Sequence, residues 1–262
     1  MKARKTFRGI YLALILLFLY APIAVMIVLS FNAAKTRAKW GGFSVKWYVE
    51  LFTSSPEILE ALRLTLEIAV LATVISVIMG TLAAIGIHYM KKRPASFLLN
   101  LSYLPMTMPD IVTGVSMMLM FVFVSVPRGF MTMLAAHIAF DTPYVLFSVL
   151  PKLRQMNPNT YEAALDLGCR PMKAVRKVIV PEIKPGIVTG ALLSFTMSLD
   201  DFVISYFTTD EVHQNLSTII YSAAKLGIKP KFYALSTLMF LAVLSLLLII
   251  NKISSTALED IS

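Results

Sequence analysis

The stretch GALLSFTMSLDDFVISYF, Gly190–Phe207, is apolar over nearly its whole length, yet it carries two adjacent carboxylates, Asp200 and Asp201. An isolated charge in hydrocarbon costs from about 2.5 kcal/mol upwards. Two neighbouring acids are tolerable there if they face a wet path or if each has a partner. No lysine or arginine lies within the stretch, so an acid pair without an internal counter-charge invites an external cation. At the helical repeat, Ser194, Ser198, Asp201 and Ser205 share one stripe of a continuous helix, and Asp200 is rotated away toward Thr196. This stripe predicts that Asp201 faces the path more directly than Asp200, with the larger effect on neutralisation. The competing reading makes the serines small-residue packing contacts and the acids hydrogen-bond partners of a neighbouring helix.

The rest of the chain agrees with a membrane setting. It has 262 residues, 57% of them hydrophobic, against roughly 45–50% in a soluble domain. The excess is concentrated in long runs rather than in amphipathic stripes. Spans are expected near Ile10–Phe31, Leu64–His88, Phe97–Val126 (broken by Pro105 and Pro109), Phe130–Leu150, Gly186–Phe207 and Tyr233–Ile250, about six in all. This is an all-α polytopic membrane protein. Its expected divisions are a first helix and extracytoplasmic loop over 1–60, a transmembrane domain over 61–252 and a tail over 253–262.

The net charge is +9. Lys2, Arg4, Lys5 and Arg8, then Lys91, Lys92 and Arg93, then the basic residues between Lys152 and Lys184, fall on alternate loops. By the positive-inside rule both termini are cytoplasmic and the protein is a multi-pass component of the cytoplasmic membrane. No basic run is interleaved with stacking aromatics, so nucleic acid is not an expected partner. The single cysteine, Cys169, excludes a disulfide within the chain and a thiolate zinc cluster. The N-terminal apolar run is longer than a signal-peptide core and lacks a small-residue cleavage site, so it reads as a retained span.

The longest basic segment contains MNPNTYEAALDLGCRPMKAVRKVIVPEIKPG, Met156–Gly186. It reads as two short helices joined by a turn. Asn159 or Thr160 caps the first, and Gly168 ends it in a left-handed conformation. Pro171 opens the second and Pro181 closes it. A basic helix on the lipid surface is one reading of this segment; a docking surface is the other. Glu162-Ala163-Ala164, the spaced Gly168 and Val178-Ile179-Val180-Pro181 resemble the E-A-A…G…I-x-L-P loop of ATP-binding-cassette (ABC) importer permeases, with valine at two apolar positions of that pattern. The resemblance extends through AKWGGFSVKWYVELF, YLPMTMPDIVTG, AHIAFDTPYV and SFTMSLDDFVISYF to the permeases of spermidine/putrescine importers, along nearly the full length.

That resemblance implies the type I importer permease fold. It makes Glu162, Ala163, Ala164, Gly168 and Pro181 the coupling loop that docks on an ATPase. The chain has no G-x-x-x-x-G-K-[ST] phosphate loop, so ATP and magnesium belong to a separate subunit, expected in two copies. A homologous second permease and an extracytoplasmic polyamine-binding protein complete the expected assembly. Asp110, Ser198, Asp200, Asp201 and Trp47 are the candidate lining of the substrate path, because carboxylates and aromatic faces suit ammonium groups. Asp110 also reads as a first-turn acid of a half-helix, and Trp40 as part of an interfacial belt. His137 and Asp141, four residues apart, read as interhelical hydrogen-bonding groups rather than as a metal site. A permease for another solute, such as an amino acid or a metal ion, is the alternative function; a self-sufficient secondary transporter using the acids as a proton relay is the alternative of a different class.

Overall fold

The computed structural model describes residues 2–36 and 38–259. Arg37 and the end of the expected tail, 260–262, lie outside them. The named elements among the described residues are helices: α1 (Lys2–Ser30), α2 (Lys46–Thr53), α3 (Pro56–Tyr89), α4 (Lys92–Thr107), α5 (Asp110–Phe123), α6 (Phe130–Gln155), α7 (Pro158–Asp166), α8 (Pro171–Ala174), α9 (Val180–Asp200), α10 (Val203–Thr208), α11 (Leu216–Leu226) and α12 (Pro230–Glu259). A π-helical turn, Val175–Ile179, joins α8 to α9.

Among the described residues, four helical segments are long and apolar enough to cross a membrane: Arg8–Ser30, Pro56–Tyr89, Phe130–Gln155 and Pro171–Asp200. The pair α4–α5, bent by 108°, brings the number to five if it counts as one span. The last expected span, Tyr233–Ile250, falls on α12.

Of the two prolines expected to break the third span, only Pro109 does so. Pro105 lies inside α4. A proline's own φ is helical, and what forces the chain out is the restriction on the residue before it. Leu104 stays helical, whereas Met108 adopts an extended conformation, φ −79° and ψ 145°. Nor does Pro181 close a helix. The chain runs on from Pro171 to Asp200, with Pro181 in the first turn of α9, directly after the π-helical turn. That turn re-registers the backbone hydrogen bonds just where proline has no N–H to give.

The chain divides into two compact units, Met1–Leu59 with Ser222–Ser262, and Glu60–Tyr221. In the first, α12 packs on α1 and α2. The loop after α1 is gathered around Asn32: its Oδ1 accepts from the backbone N–H of Ala34 (3.0 Å) and Gly41 (2.8 Å), and its Nδ2 donates to the Lys39 carbonyl (2.9 Å).

In the second unit α6 is the central helix. Glycines let its neighbours approach: a Cβ at Gly186 would lie 2.8 Å from the Ser148 carbonyl oxygen, and one at Gly80 would lie 2.7 Å from Val145 Cβ. Such backbone proximity is how membrane helices gain packing energy where lipid supplies no hydrophobic driving force. Val145, Leu146, Val149, Leu150, Leu153, Ile179 and Ile183 close the core around these contacts.

Candidate functional site

The acid pair lies at a break. Helix α9 ends at Asp200, and Asp201 leaves the helical conformation at φ −59°, ψ 127°. The continuous stripe expected from the sequence is therefore divided between α9 and α10. Asp201 turns back as a cap: its Oδ1 accepts from the Ile204 N–H (3.2 Å) and its Oδ2 from the Ser205 N–H (2.7 Å). A carboxylate at this end is also favoured by the helix dipole. The Asn215 side chain crosses over the break, with Nδ2 donating to the Asp201 carbonyl (3.2 Å) and to Ser205 Oγ (2.7 Å). Asp200 differs from its neighbour: it is exposed.

The four stripe residues still converge on α6. Ser194 Oγ donates to Asp141 Oδ2 at 3.0 Å. His137 sits between the two helical pieces, its Nδ1 2.6 Å from Ser198 Oγ on α9 and its Nε2 2.9 Å from Ser205 Oγ on α10. The nearer Asp201 oxygen is 3.6 Å from Nε2. His137, Asp141, Ser194, Ser198 and Ser205 are all buried. The other Asp141 oxygen, Oδ1, has no hydrogen-bond partner among the described residues. The interhelical reading of His137 thus matches the geometry. Asn215 carried no periodic signal, since it comes from a loop distant in sequence.

Asp110 opens α5 directly after Pro109 and is exposed. Helix α5 packs on α10. A Cβ at Gly114 would touch the Phe207 ring at 3.0 Å and the Val203 carbonyl at 3.3 Å. Tyr144 of α6 lies within electrostatic reach of both Asp110 and Asp141. Two helices, α5 opening at Asp110 and α10 capped by Asp201, are thereby held together and against α6. Irregular backbone at membrane depth is tolerated where it is buried in protein or lines a cavity.

Trp47 lies in the first unit and is buried. Its indole Nε1 donates to the Asn32 carbonyl at 2.7 Å, and the Lys46 ammonium stands 4.4 Å from the ring centroid. The ring face expected to meet a substrate ammonium is occupied here by one of the protein's own.

In the segment Met156–Gly186 the cap of α7 is Asn157, not Asn159 or Thr160: its side chain accepts from the Asn159 N–H at 3.0 Å, with Pro158 in the first turn. Proline pre-set for the first helical position moves the start two residues earlier than the Asn/Thr pair suggested. Gly168 ends the helix as expected, at φ +84°. Its N–H donates to the Leu165 carbonyl (2.9 Å), and the Cys169 N–H donates to that of Ala164 (3.0 Å), a Schellman closure. Glu162 and Ala163 are exposed, and Leu167 and Met172 flank the turn with 88% and 79% of their surface open. Those two apolar side chains, absent from the expected site, could have been found as large hydrophobics beside a helix-ending glycine. The loop is anchored behind by Tyr161, whose ring lies 5.6 Å from that of Tyr89 on α3.

Among the described residues no group of three or more His, Cys, Asp or Glu side chains is placed to hold a metal.

Residues 76–259 match the family described as binding-protein-dependent transport system inner membrane component. The chain is 35% identical over 243 residues to the spermidine/putrescine transport system permease protein PotC of Escherichia coli K12, covering 93% of this chain and 91% of that one. It is 35% identical over 247 residues to the putrescine transport system permease protein PotI of the same organism, covering 92% and 88%. Among solved structures, a chain of a bacterial ABC transporter that imports the acidic polysaccharide alginate superposes with a TM-score of 0.73 at 18% identity, covering 97% of this chain and 96% of that one. That likeness shows the ABC importer permease fold. A break-containing helical core, an exposed glycine-closed loop and these matches lead to one assignment: the chain belongs to the binding-protein-dependent transport system inner membrane components, multi-pass transport subunits rather than enzymes.

Proposed function

We propose that this chain is the permease subunit through which an ABC importer moves linear polyamines, spermidine or putrescine, across the cytoplasmic membrane. The observation that carries the substrate class is the exposed Asp200 at the α9–α10 break, in a stretch without a basic residue. Asp110, exposed at the start of α5, supplies a second carboxylate. A polyamine offers ammonium groups on an apolar chain, and separate carboxylates suit it better than they suit an oxyanion. Asp110 and Asp200 meet the cation directly. Asp201 and Ser198 shape the path through the backbone and helix contacts that they hold; Trp47 is a separate aromatic candidate within the first unit.

The segment 61–252 carries the translocating domain, with both termini cytoplasmic. Glu162, Ala163, Ala164, Gly168 and Pro181 belong to the loop that meets a separate ATPase subunit, present in two copies, which binds ATP and magnesium. A homologous second permease completes the pathway, and an extracytoplasmic polyamine-binding protein delivers the substrate. The test is ATP-dependent uptake of labelled putrescine and spermidine by vesicles holding the assembled complex. Saturable uptake of either supports the proposal. Uptake of an amino acid or metal ion with no polyamine uptake overturns the substrate class.

A further inference from the structure

We infer that His137 is a positioning residue: by bonding to both sides of the α9–α10 break, it sets where Asp200 is presented. This rests on the proposed contact between Asp200 and a polyamine.

A break in a spanning helix leaves two pieces whose angle is set by the packing of each, here α9 on α6 and α10 on α5 and α6, and by the bonds across the break. Three groups cross it here. Asp201, within the break, caps α10. Asn215 reaches in from the following loop to the Asp201 carbonyl and Ser205 Oγ. His137 is the crossing group that belongs to another spanning helix. Its two ring nitrogens contact Ser198 and Ser205, one on each piece. In either neutral tautomer one ring nitrogen donates and the other accepts, and a serine hydroxyl can answer either role. The imidazole is 2% exposed, so water does not compete for these bonds. Below the same ring, Ser194 of α9 donates to Asp141 on the next turn of α6, which fixes the rotation of α9 about its own axis. Asp200 is the last helical residue before the break, so its direction follows from that rotation and from the angle that His137 holds. His137 itself is too buried to touch a substrate; it acts through Asp200.

The experiment uses the assembled complex in vesicles. His137→Leu removes both bonds at similar volume. His137→Gln retains an amide able to reach one of the two serines, and Ser205→Ala removes one of the two serine partners, together with the Asn215 bond to that hydroxyl, without touching the histidine. Each is made alone and combined with Asp200→Asn, and KM and maximal rate of putrescine uptake are measured alongside the amount of complex recovered. The expected result is a rise in KM of about tenfold for His137→Leu, a smaller rise for His137→Gln and Ser205→Ala, and no further rise from any of them once Asp200 is asparagine. If His137→Leu fails to assemble, the Ser205→Ala and His137→Gln pairs with Asp200→Asn decide the matter. An equal rise in KM with and without Asp200 overturns the inference, as does an unchanged KM in all three variants. If Asp200→Asn alone leaves KM unchanged, the contact between Asp200 and the polyamine is wrong, and the inference falls with it. If Asp200→Asn raises KM while the other variants do not, only the positioning role is lost.

Discussion

The α9–α10 break and the loop around Gly168 are both places where a helix stops, and they stop for opposite purposes. At the break, the Ile204 and Ser205 N–H groups meet the neighbouring Asp201 side chain, while Asn215 and, through Ser198 and Ser205, His137 reach in from other parts of the chain. At Gly168 the helix closes on itself with two backbone bonds, and the flanking Leu167 and Met172 are left open. The first is a buried joint whose geometry depends on distant residues. The second is a self-contained surface feature whose geometry depends on one glycine. The contrast teaches that the joint's geometry rests on side chains gathered from several helices, whereas the loop's rests on one glycine; under the proposed function, the loop acts through what it presents to the ATPase subunit.

The largest expected effect comes from the loop. Gly168→Val places a β-branched side chain at φ +84°, a conformation that costs such a residue about 1–2 kcal/mol. Space is not the difficulty, because a Cβ there has nothing within 4 Å. The variant should insert in the membrane at normal levels while coupled uptake is abolished, read by transport and by recovery of the ATPase subunit with the complex. Normal uptake would place the loop among surface helices and remove the contrast.

In the joint, Asp200→Asn is the next largest. It should lower uptake at limiting polyamine by about tenfold, equivalent to about 1.4 kcal/mol, and leave assembly intact because the side chain is exposed. The stripe reading of the sequence assigns the larger loss to Asp201; the break reverses that order. Asp201→Asn keeps an oxygen that can accept from the α10 backbone and should change uptake less than Asp200→Asn. Asp201→Ala removes the cap, with an expected cost of about 1 kcal/mol in stability, seen as a lower unfolding midpoint of the purified complex. A larger transport defect for Asp201→Asn than for Asp200→Asn would restore the stripe reading.

The smallest effect concerns the loop after α10. Partial burial pushes the Asp210 carboxyl up, but bonds from the His213 N–H (2.7 Å) and ring (2.9 Å) and from the Val212 N–H (3.1 Å) outweigh it and hold the carboxyl below its ordinary range. A depressed folded value means that this contribution is present above the unfolded value of about 3.9 and is lost as pH falls through the folded one. Hydrogen exchange at Val212 and His213, corrected for intrinsic rates, should therefore lose protection only at strongly acid pH, and Asp210→Asn should flatten that dependence.

Much of this protein was legible as sequence because its determinants are local. Long apolar runs mark spans wherever they occur. Pro109 forces Met108 out of the helix by contact between adjacent residues. A glycine that must be left-handed, such as Gly168, ends a helix with bonds reaching only a few positions back. What periodicity could not decide was the path of Gly190–Phe207. An uninterrupted helical repeat put four polar residues on one stripe, and their convergence on α6 did follow, but the repeat carries no information about a break. That break is held by Asn215 from a later loop and His137 from an earlier helix, groups 14 and 61–68 residues away. It was likewise tertiary packing, through the indole bond to Asn32, that put Trp47 in the interior of its unit. Local sterics are written residue by residue; how the two sides of the break are tied together is settled only when Asn215 and His137 reach Ser198, Asp201 and Ser205 from other parts of the chain.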